Sequence, residues 1–574
     1  MRELYARLKS RPAIFAEMVA ASLLANILAL ASPLFVIQVL NRYVAHGVDS
    51  TLATLAVGTV IAVLLEFGFR QVRMRLAQAV NAPYDDGLSG AAFRALTGAK
   101  SAAAEALPQG LRQQIIAGAD SVRTAYAAPN VAAVMDVPFA LVFVFALFLL
   151  SPLLAVIALL FLGAVFVVAA LTMASLRLPT REMAATAGRR NALVGSAILA
   201  GDTVRAFNAQ TLIRRLWQGE SSLYQRLHRA VTGRQGLVAS LTAGAQGLMN
   251  VCIIAAGAVL VVKGQLDVGG LIGANILAAR ALGPIIKLAQ MGESFATARQ
   301  ALAMLQEFLR TPQERTQGSA LGEYAGGLEF RDLGFVHPGQ RLPLFESMNL
   351  RLAPGAMLVV AGANGAGKTT LARLIVGLLD PARGKILVDG VDLAQVVPEW
   401  WRRQVSYLPQ EPAFLNASIR DNFLAVRPNL DDAALNEIAR VAGFKPFIDQ
   451  SPNGFDTAIV NNGMSLSLGI RRRLALGRAL ATDGRMMVVD DPTEGLDAEG
   501  AKLVIDAVNA AAKRGRTVVV FTHDPQILGQ APQYVDLNSK PVPRLVKNEA
   551  MAAKPDAAAG NAGPRPKPVR EVRS

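Results

Sequence analysis

Six stretches before residue 300 are apolar and long enough to cross a bilayer, and nothing else in the chain restricts its fold so strongly. They run from about Ile14 to Leu40, Leu52 to Phe69, Leu237 to Val262 and Val268 to Leu288, with two more in Val131 to Met173, broken at Ser151-Pro152. Six crossings put both termini on one side. Arg2, Arg7, Lys9 and Arg11 precede the first span, seven bases from Arg70 to Arg123 lie at or between spans two and three, and ten from Arg177 to Arg234 lie between spans four and five. The opposite loops offer little beyond Arg42 and Lys263. By the positive-inside rule the termini and both long loops are cytoplasmic.

Each long loop has about sixty residues and is amphipathic, which predicts helices that extend the spans rather than separate domains. Three charged positions in or beside spans stand out: Glu17, Asp136 and Arg280. Intramembrane charge is a functional hypothesis by default. Glu17 and Asp136, near cytoplasmic ends, read as structural, meeting water or a cap. Arg280, nearer mid-span, either pairs with another helix or lines a polar path.

At 574 residues the chain exceeds one domain. It is 52% hydrophobic and 18% charged, with a mean hydropathy of +0.35, and the apolar excess lies before residue 300. The later half reads as soluble α/β. The net charge of +15 is spread over loops beside apolar segments, as contact with anionic membrane lipid favours. No aromatic-interleaved basic motif supports nucleic acid as a partner. Cys252 is the only cysteine, which excludes disulfides and a cysteine-based metal site. No cleavable signal peptide is expected, because the first apolar segment is too long and lacks a small-residue cleavage site.

Gly362-Ala363-Asn364-Gly365-Ala366-Gly367-Lys368-Thr369-Thr370 matches G-x-x-x-x-G-K-[ST], with an apolar strand before it and helical spacing after it. Such a turn aims backbone N–H groups at a phosphate, and the helix N-terminus adds positive potential. Gly362, Asn364, Gly365, Gly367 and Thr370 shape the cradle. Lys368 would reach the β- and γ-phosphates, and the Thr369 hydroxyl would ligate Mg²⁺. The pattern implies binding of a nucleoside triphosphate. A second apolar strand, from Arg485, ends in Asp490-Asp491. Asp490 takes the Mg²⁺-holding role and Asp491 would polarise the attacking water. A third strand, Val518 to Thr522, ends at His523, placed to contact the γ-phosphate.

On these residues the stretch 327–545 resembles an ATP-binding cassette (ABC) ATPase. Gln410, in Tyr407-Leu408-Pro409-Gln410, matches the glutamine that contacts Mg²⁺ and the membrane domain. Leu466-Ser467-Leu468-Gly469-Ile470 occupies the position of the Leu-Ser-Gly-Gly-Gln signature, and Leu496-Asp497 matches the D-loop. With six spans ahead of one cassette the chain resembles a half-transporter of the exporter class. The resemblance implies a homodimer binding ATP, each nucleotide clamped between one P-loop and the other subunit's Ser467, Gly469 and Asp497. The expected fold is therefore multidomain: an all-α, six-helix transmembrane domain over 1–310, an α/β P-loop ATPase over 327–545, and a disordered basic Pro/Ala-rich tail over 546–574.

Three departures from the family pattern stand out. Leu468 and Ile470 replace the usual Gly and Gln of the signature, leaving the serine hydroxyl, a backbone N–H and a helix N-terminus. His337 stands where an aromatic residue usually stacks on adenine, which implies weaker stacking. Asp491 replaces the usual catalytic Glu and shortens the arm by roughly 1.5 Å, and a misplacement of about 1 Å costs on the order of 10²-fold in rate. Slow hydrolysis is the expectation.

In the membrane half, Ala31 to Leu40, Asp136-Val137-Pro138-Phe139 and Ala278 to Pro284 are similar to segments of bacterial type I secretion ABC transporters. With the first span starting by residue 14, the peptidase-like N-terminal domain of some relatives is not expected. That resemblance implies a multi-pass protein of the bacterial inner membrane with its ATPase in the cytoplasm. It also implies an unfolded protein cargo, a periplasmic adaptor (membrane fusion protein) and an outer-membrane channel. Two other classes share the architecture: an exporter of lipid, glycan or small amphiphile, and a nucleotide-gated scaffold with little hydrolysis.

Overall fold

The structure is a computed structural model that describes residues 2–44, 47, 49–107, 109–319 and 322–547. The basic tail expected from 546 lies, from 548 onward, outside the described residues. The chain divides into two compact units, Met1–Ala99 with Ala103–Gln313, and Lys100–Ala102 with Glu314–Ser574.

The first unit is helical. Among the described residues, six helical stretches are long and apolar enough to cross a membrane: Pro12–Val44, Asp49–Gly98, Ala128–Leu150, Pro152–Leu199, Gln210–Val262 and Val268–Gln290. Ser151 breaks the third from the fourth with an extended backbone (φ −158°, ψ 118°). Pro152 then opens the next helix at a position where its missing N–H has no partner to lose. Asp49–Gly98 and Gln210–Val262 hold 50 and 53 residues. At about 1.5 Å per residue each is more than twice the roughly 30 Å of hydrocarbon it crosses. The long loops are thus helical continuations of spans, as their amphipathic pattern predicts.

Close packing uses small residues. A Cβ at Gly273 would meet Ile37 Cγ1 at 2.3 Å, so the first and last spans approach only because glycine is there. Charge ties the helices as well. Asp136 forms an ion pair with the buried Arg73 and accepts from Asn26 Nδ2 at 3.0 Å, while Arg73 Nη1 donates to Ser22 Oγ at 3.2 Å. Asp136, whose side chain is 18% exposed, therefore joins three helices. Arg280 lies 4.0 Å from Glu66, which also pairs with Arg70 at 2.7 Å, so its contact is helix to helix. Glu17 is exposed.

The second unit is α/β. Its strands are β1 (Leu328–Phe335), β2 (Phe345–Leu352), β3 (Met357–Ala361), β4 (Arg383–Val388) and β5 (Val391–Asp392), then β6 (Val405–Leu408), β7 (Met486–Asp490), β8 (Thr517–Thr522), β9 (Gln533–Asp536) and β10 (Arg544–Lys547). One sheet has the order β2-β1-β4-β5 and is antiparallel. The other has the order β10-β9-β3-β8-β7-β6, parallel from β9 to β6. β7 and β8 are buried along their whole length, which explains their continuous apolar sequence. One core joins the two sheets through Phe330, Val360, Leu371 and Trp401, whose indole N–H donates to Ile375 O at 2.8 Å. Parallel order brings the carboxyl ends of β3, β7 and β8 to one edge, the edge where such sheets bind ligands.

Candidate nucleotide site

β3 ends at Ala361 and a helix begins at Lys368, so the glycine-rich turn spans the gap between them. Gly365 and Gly367 adopt φ of +82° and +109°, a region that side chains disfavour, and a Cβ on Gly367 would sit 2.8 Å from Leu344. The turn walls a cavity of about 340 Å³, lined by Asn364, Gly365, Gly367, Lys368, Thr369 and Thr370 together with His337, Leu344, Gln410 and Asp491. The His337 ring stands edge-on to Phe335, at a centroid distance of 5.0 Å.

Lys368 is buried; its Nζ donates to Gly362 O at 2.9 Å and lies 3.4 Å from Asp491 Oδ2. Asp491 has a left-handed backbone (φ +44°), and its N–H donates to Phe521 O at 2.9 Å, locking the turn after β7 to β8. Its Oδ1 lies 3.1 Å from Nδ1 of the half-exposed His523. Asp490, at the end of β7, is 1% exposed, and neither carboxylate oxygen has a hydrogen-bond partner. Burial, with a smaller push from the negative charge of Asp491, raises its pKa to about 6. Thr369 and Lys368 pull the other way. The Thr369 hydroxyl donates to Gln410 Oε1 at 3.2 Å, and Gln410 Nε2 donates to Glu494 Oε2 at 2.8 Å.

Oxygen donors gather here: the Asp490 carboxylate, the Thr369 hydroxyl that acts on it and the Gln410 amide carbonyl that the hydroxyl meets. That set fits a hard divalent cation such as Mg²⁺.

Three of the expected binding residues lie elsewhere. Ser467 caps the helix Leu468–Ala481 and accepts from Ile470 N at 3.3 Å. Gly469 sits in that helix's first turn, facing open space. Asp497 caps the helix Ala498–Lys513; the hydrogen bond from Gly500 N, and secondarily Arg473, hold its carboxyl below the ordinary range. None of the three lines the cavity.

Two residues at the site escape the sequence patterns. Glu494 touches Gln410, and the largely buried Arg472 reaches Glu494 at 3.9 Å. Their signals are weak ones, an acid three residues after Asp491 and the middle member of an arginine run.

A bundle of membrane-crossing helices followed by a P-loop ATPase, with its cavity at the carboxyl edge of a parallel sheet, defines a nucleotide-driven membrane transporter. Comparison with known families identifies which one. Residues 15–285 match the ABC transporter transmembrane region and residues 345–494 match the ABC transporter ATPase domain. The chain belongs to the ABC transporters and is an ABC exporter, a multi-pass membrane protein that couples ATP hydrolysis to transport. It is 28% identical over 554 residues to the toxin RTX-I translocation ATP-binding protein of Actinobacillus pleuropneumoniae, an alignment covering 95% of this chain and 77% of that one. It is 28% identical to the alpha-hemolysin translocation ATP-binding protein HlyB of Escherichia coli, covering 89% and 72% of the respective chains. Among solved structures, a bacterial Atm1-family ABC exporter with ATP bound superposes with a TM-score of 0.82 at 20% identity, covering 94% of this chain and 97% of that one. That likeness establishes a shared fold.

Proposed function

We propose that the chain is the inner-membrane, ATP-driven component of a type I secretion system, and that its cargo is an unfolded protein. What supports this most is the reach of the similarity to toxin and hemolysin translocation proteins, which runs through both halves over 95% of the chain. In this reading residues 1–310 form the transmembrane domain and 327–545 the ATP-binding domain, with the ATPase and the termini cytoplasmic, on the side of the basic loops. A periplasmic adaptor and an outer-membrane channel complete the conduit.

The P-loop N–H groups and Lys368 hold the terminal phosphates, and His337 flanks the base. Thr369, Gln410 and Asp490 would hold Mg²⁺, which when bound neutralises charge on the phosphate oxygens. Asp491 accepts a hydrogen bond from the attacking water and orients it, with His523 beside it. Ser467, Gly469 and Asp497 do not line their own chain's cavity, which supports a homodimer in which they close the partner's site.

The test is crosslinking in cells followed by co-purification. Recovery of a membrane fusion adaptor together with one exported protein is expected. ATP turnover stimulated by a lipid or glycolipid, with no adaptor recovered, would replace this reading with an exporter of small amphiphiles.

A further inference from the structure

Glu494 lies in the turn after β7, and no role above uses it. Its Oε2 accepts from Gln410 Nε2 at 2.8 Å, on the far side of the amide from Thr369, whose hydroxyl meets Gln410 Oε1 at 3.2 Å. An ionised carboxylate accepts hydrogen bonds and donates none, so it can face only the nitrogen of the amide. The oxygen of Gln410 is thereby turned toward Thr369. Arg472 stands behind the carboxylate: its Nη2 is 3.9 Å from Glu494 and 3.5 Å from Gln410 O, and its Nε and Nη1 have no hydrogen-bond partner. One cation on the helix Leu468–Ala481 thus braces both the acid and the backbone that carries the glutamine.

We propose that Glu494, braced by Arg472, is a positioning residue that fixes the amide of Gln410 so that its oxygen, not its nitrogen, faces the magnesium position beside Thr369. The inference rests on the reading of Gln410 as a magnesium contact. An amide with no orientational preference would lose only about half of its competent population, so removing Glu494 is a mild perturbation. Reversing the preference is the sharp one: a lysine at 494 donates and never accepts, and turns the Gln410 nitrogen toward the metal. Partners that orient metal ligands are worth roughly 10- to 100-fold in metal affinity.

The experiment measures Mn²⁺ binding by electron paramagnetic resonance in the full chain, with a non-hydrolysable ATP analogue present, for the parent, Glu494→Lys, Gln410→Ala and the double variant. Glu494→Lys is expected to raise the half-saturating Mn²⁺ concentration about tenfold more in the parent than in the Gln410→Ala background. The cycle cancels the direct repulsion between a lysine and the metal, which is the same in both backgrounds. An equal effect in both backgrounds overturns the proposal, because Glu494 would then act by charge alone. If Gln410→Ala itself leaves Mn²⁺ binding unchanged, the magnesium role of Gln410 falls, and the proposal with it. Should Glu494→Lys fail to fold, Glu494→Ala in the same cycle is expected to show a coupling of about twofold, and its absence overturns the proposal equally.

Discussion

The ammonium of Lys368 lies 3.4 Å from Asp491 Oδ2 while it donates to Gly362 O at 2.9 Å. The P-loop cation and the acid after β7 therefore neutralise each other inside one cavity. Both are at most 5% exposed, so the attraction is screened far less than at a surface. In the proposed mechanism a triphosphate would compete for the lysine, and in doing so would free the Asp491 carboxylate for water.

Lys368→Ala removes the P-loop ammonium proposed to draw the terminal phosphates in and leaves Asp491 without its lysine partner. ATP turnover should fall by about 10²-fold or more, and export should stop. Phosphate release and export of the cargo are measured in parallel. Retention of both at parental levels would remove the P-loop assignment.

The features legible in the sequence are those set by short-range pattern. The spans follow from apolar runs, the helical extensions from amphipathic spacing, and the P-loop from glycines that the backbone needs at positive φ. What pairs across the fold was not legible. Asp136 looked like a helix-end carboxylate because Arg73, its partner, lies 63 residues away on another helix. Glu494 meets Gln410 across 84 residues, through a turn and a loop with no periodicity to mark either. Ser467, Gly469 and Asp497 lie off their own chain's cavity, as the resemblance to a clamped dimer implies.

Arg73 offers a test of that hidden pairing. Arg73→Met leaves Asp136 in the helical unit with Asn26 as its remaining hydrogen-bond donor. Breaking one side of a buried pair costs about 3–5 kcal/mol, whereas removing both charges is often neutral. Thermal denaturation in detergent should show a marked loss for Arg73→Met and recovery of most of it in Arg73→Met/Asp136→Leu. Equal melting of the single variant and the parent would mean that the pair holds nothing together.

Asp490 carries a pH dependence whose sign is fixed by its raised pKa. Its ordinary value is 3.8 and burial lifts it to about 6. The folded chain therefore holds this proton more tightly than the unfolded chain does. Stability falls as pH rises from about 4 to about 6 and is level above. The rise corresponds to roughly 3 kcal/mol at neutral pH. Without nucleotide or metal, Asp490→Asn should melt several degrees above the parent at pH 7. The gap should narrow by about half at pH 5, where the parent is largely protonated. With ATP and Mg²⁺ the order should reverse, because the asparagine offers the cation no charge. Differential scanning fluorimetry reads all three conditions, and a gap independent of pH would show that ionisation of Asp490 is not its source.

Asp491 stands where the resemblance implies a glutamate, and its surroundings are tight. Its two oxygens already reach His523 Nδ1 at 3.1 Å and Lys368 Nζ at 3.4 Å, and its side chain is 2% exposed. Asp491→Asn keeps the shape and tolerates the left-handed backbone, because Asn shares with Asp the ability to sit there. It removes only the charge proposed to polarise water, so hydrolysis should fall by about 10²-fold or more. ATP binding should persist or tighten, since Lys368 loses its internal competitor, and the variant should accumulate as a nucleotide-bound dimer. Asp491→Glu adds a methylene to a side chain enclosed on both sides and adds strain at φ +44°. Its turnover is therefore expected not to exceed the parent's, even though the longer arm is the commoner choice in the family. Single-turnover hydrolysis of both variants beside the parent separates reach from packing. Faster hydrolysis by Asp491→Glu would show that reach limits the rate, and parental hydrolysis by Asp491→Asn would leave His523 or a water chain as the polarising group.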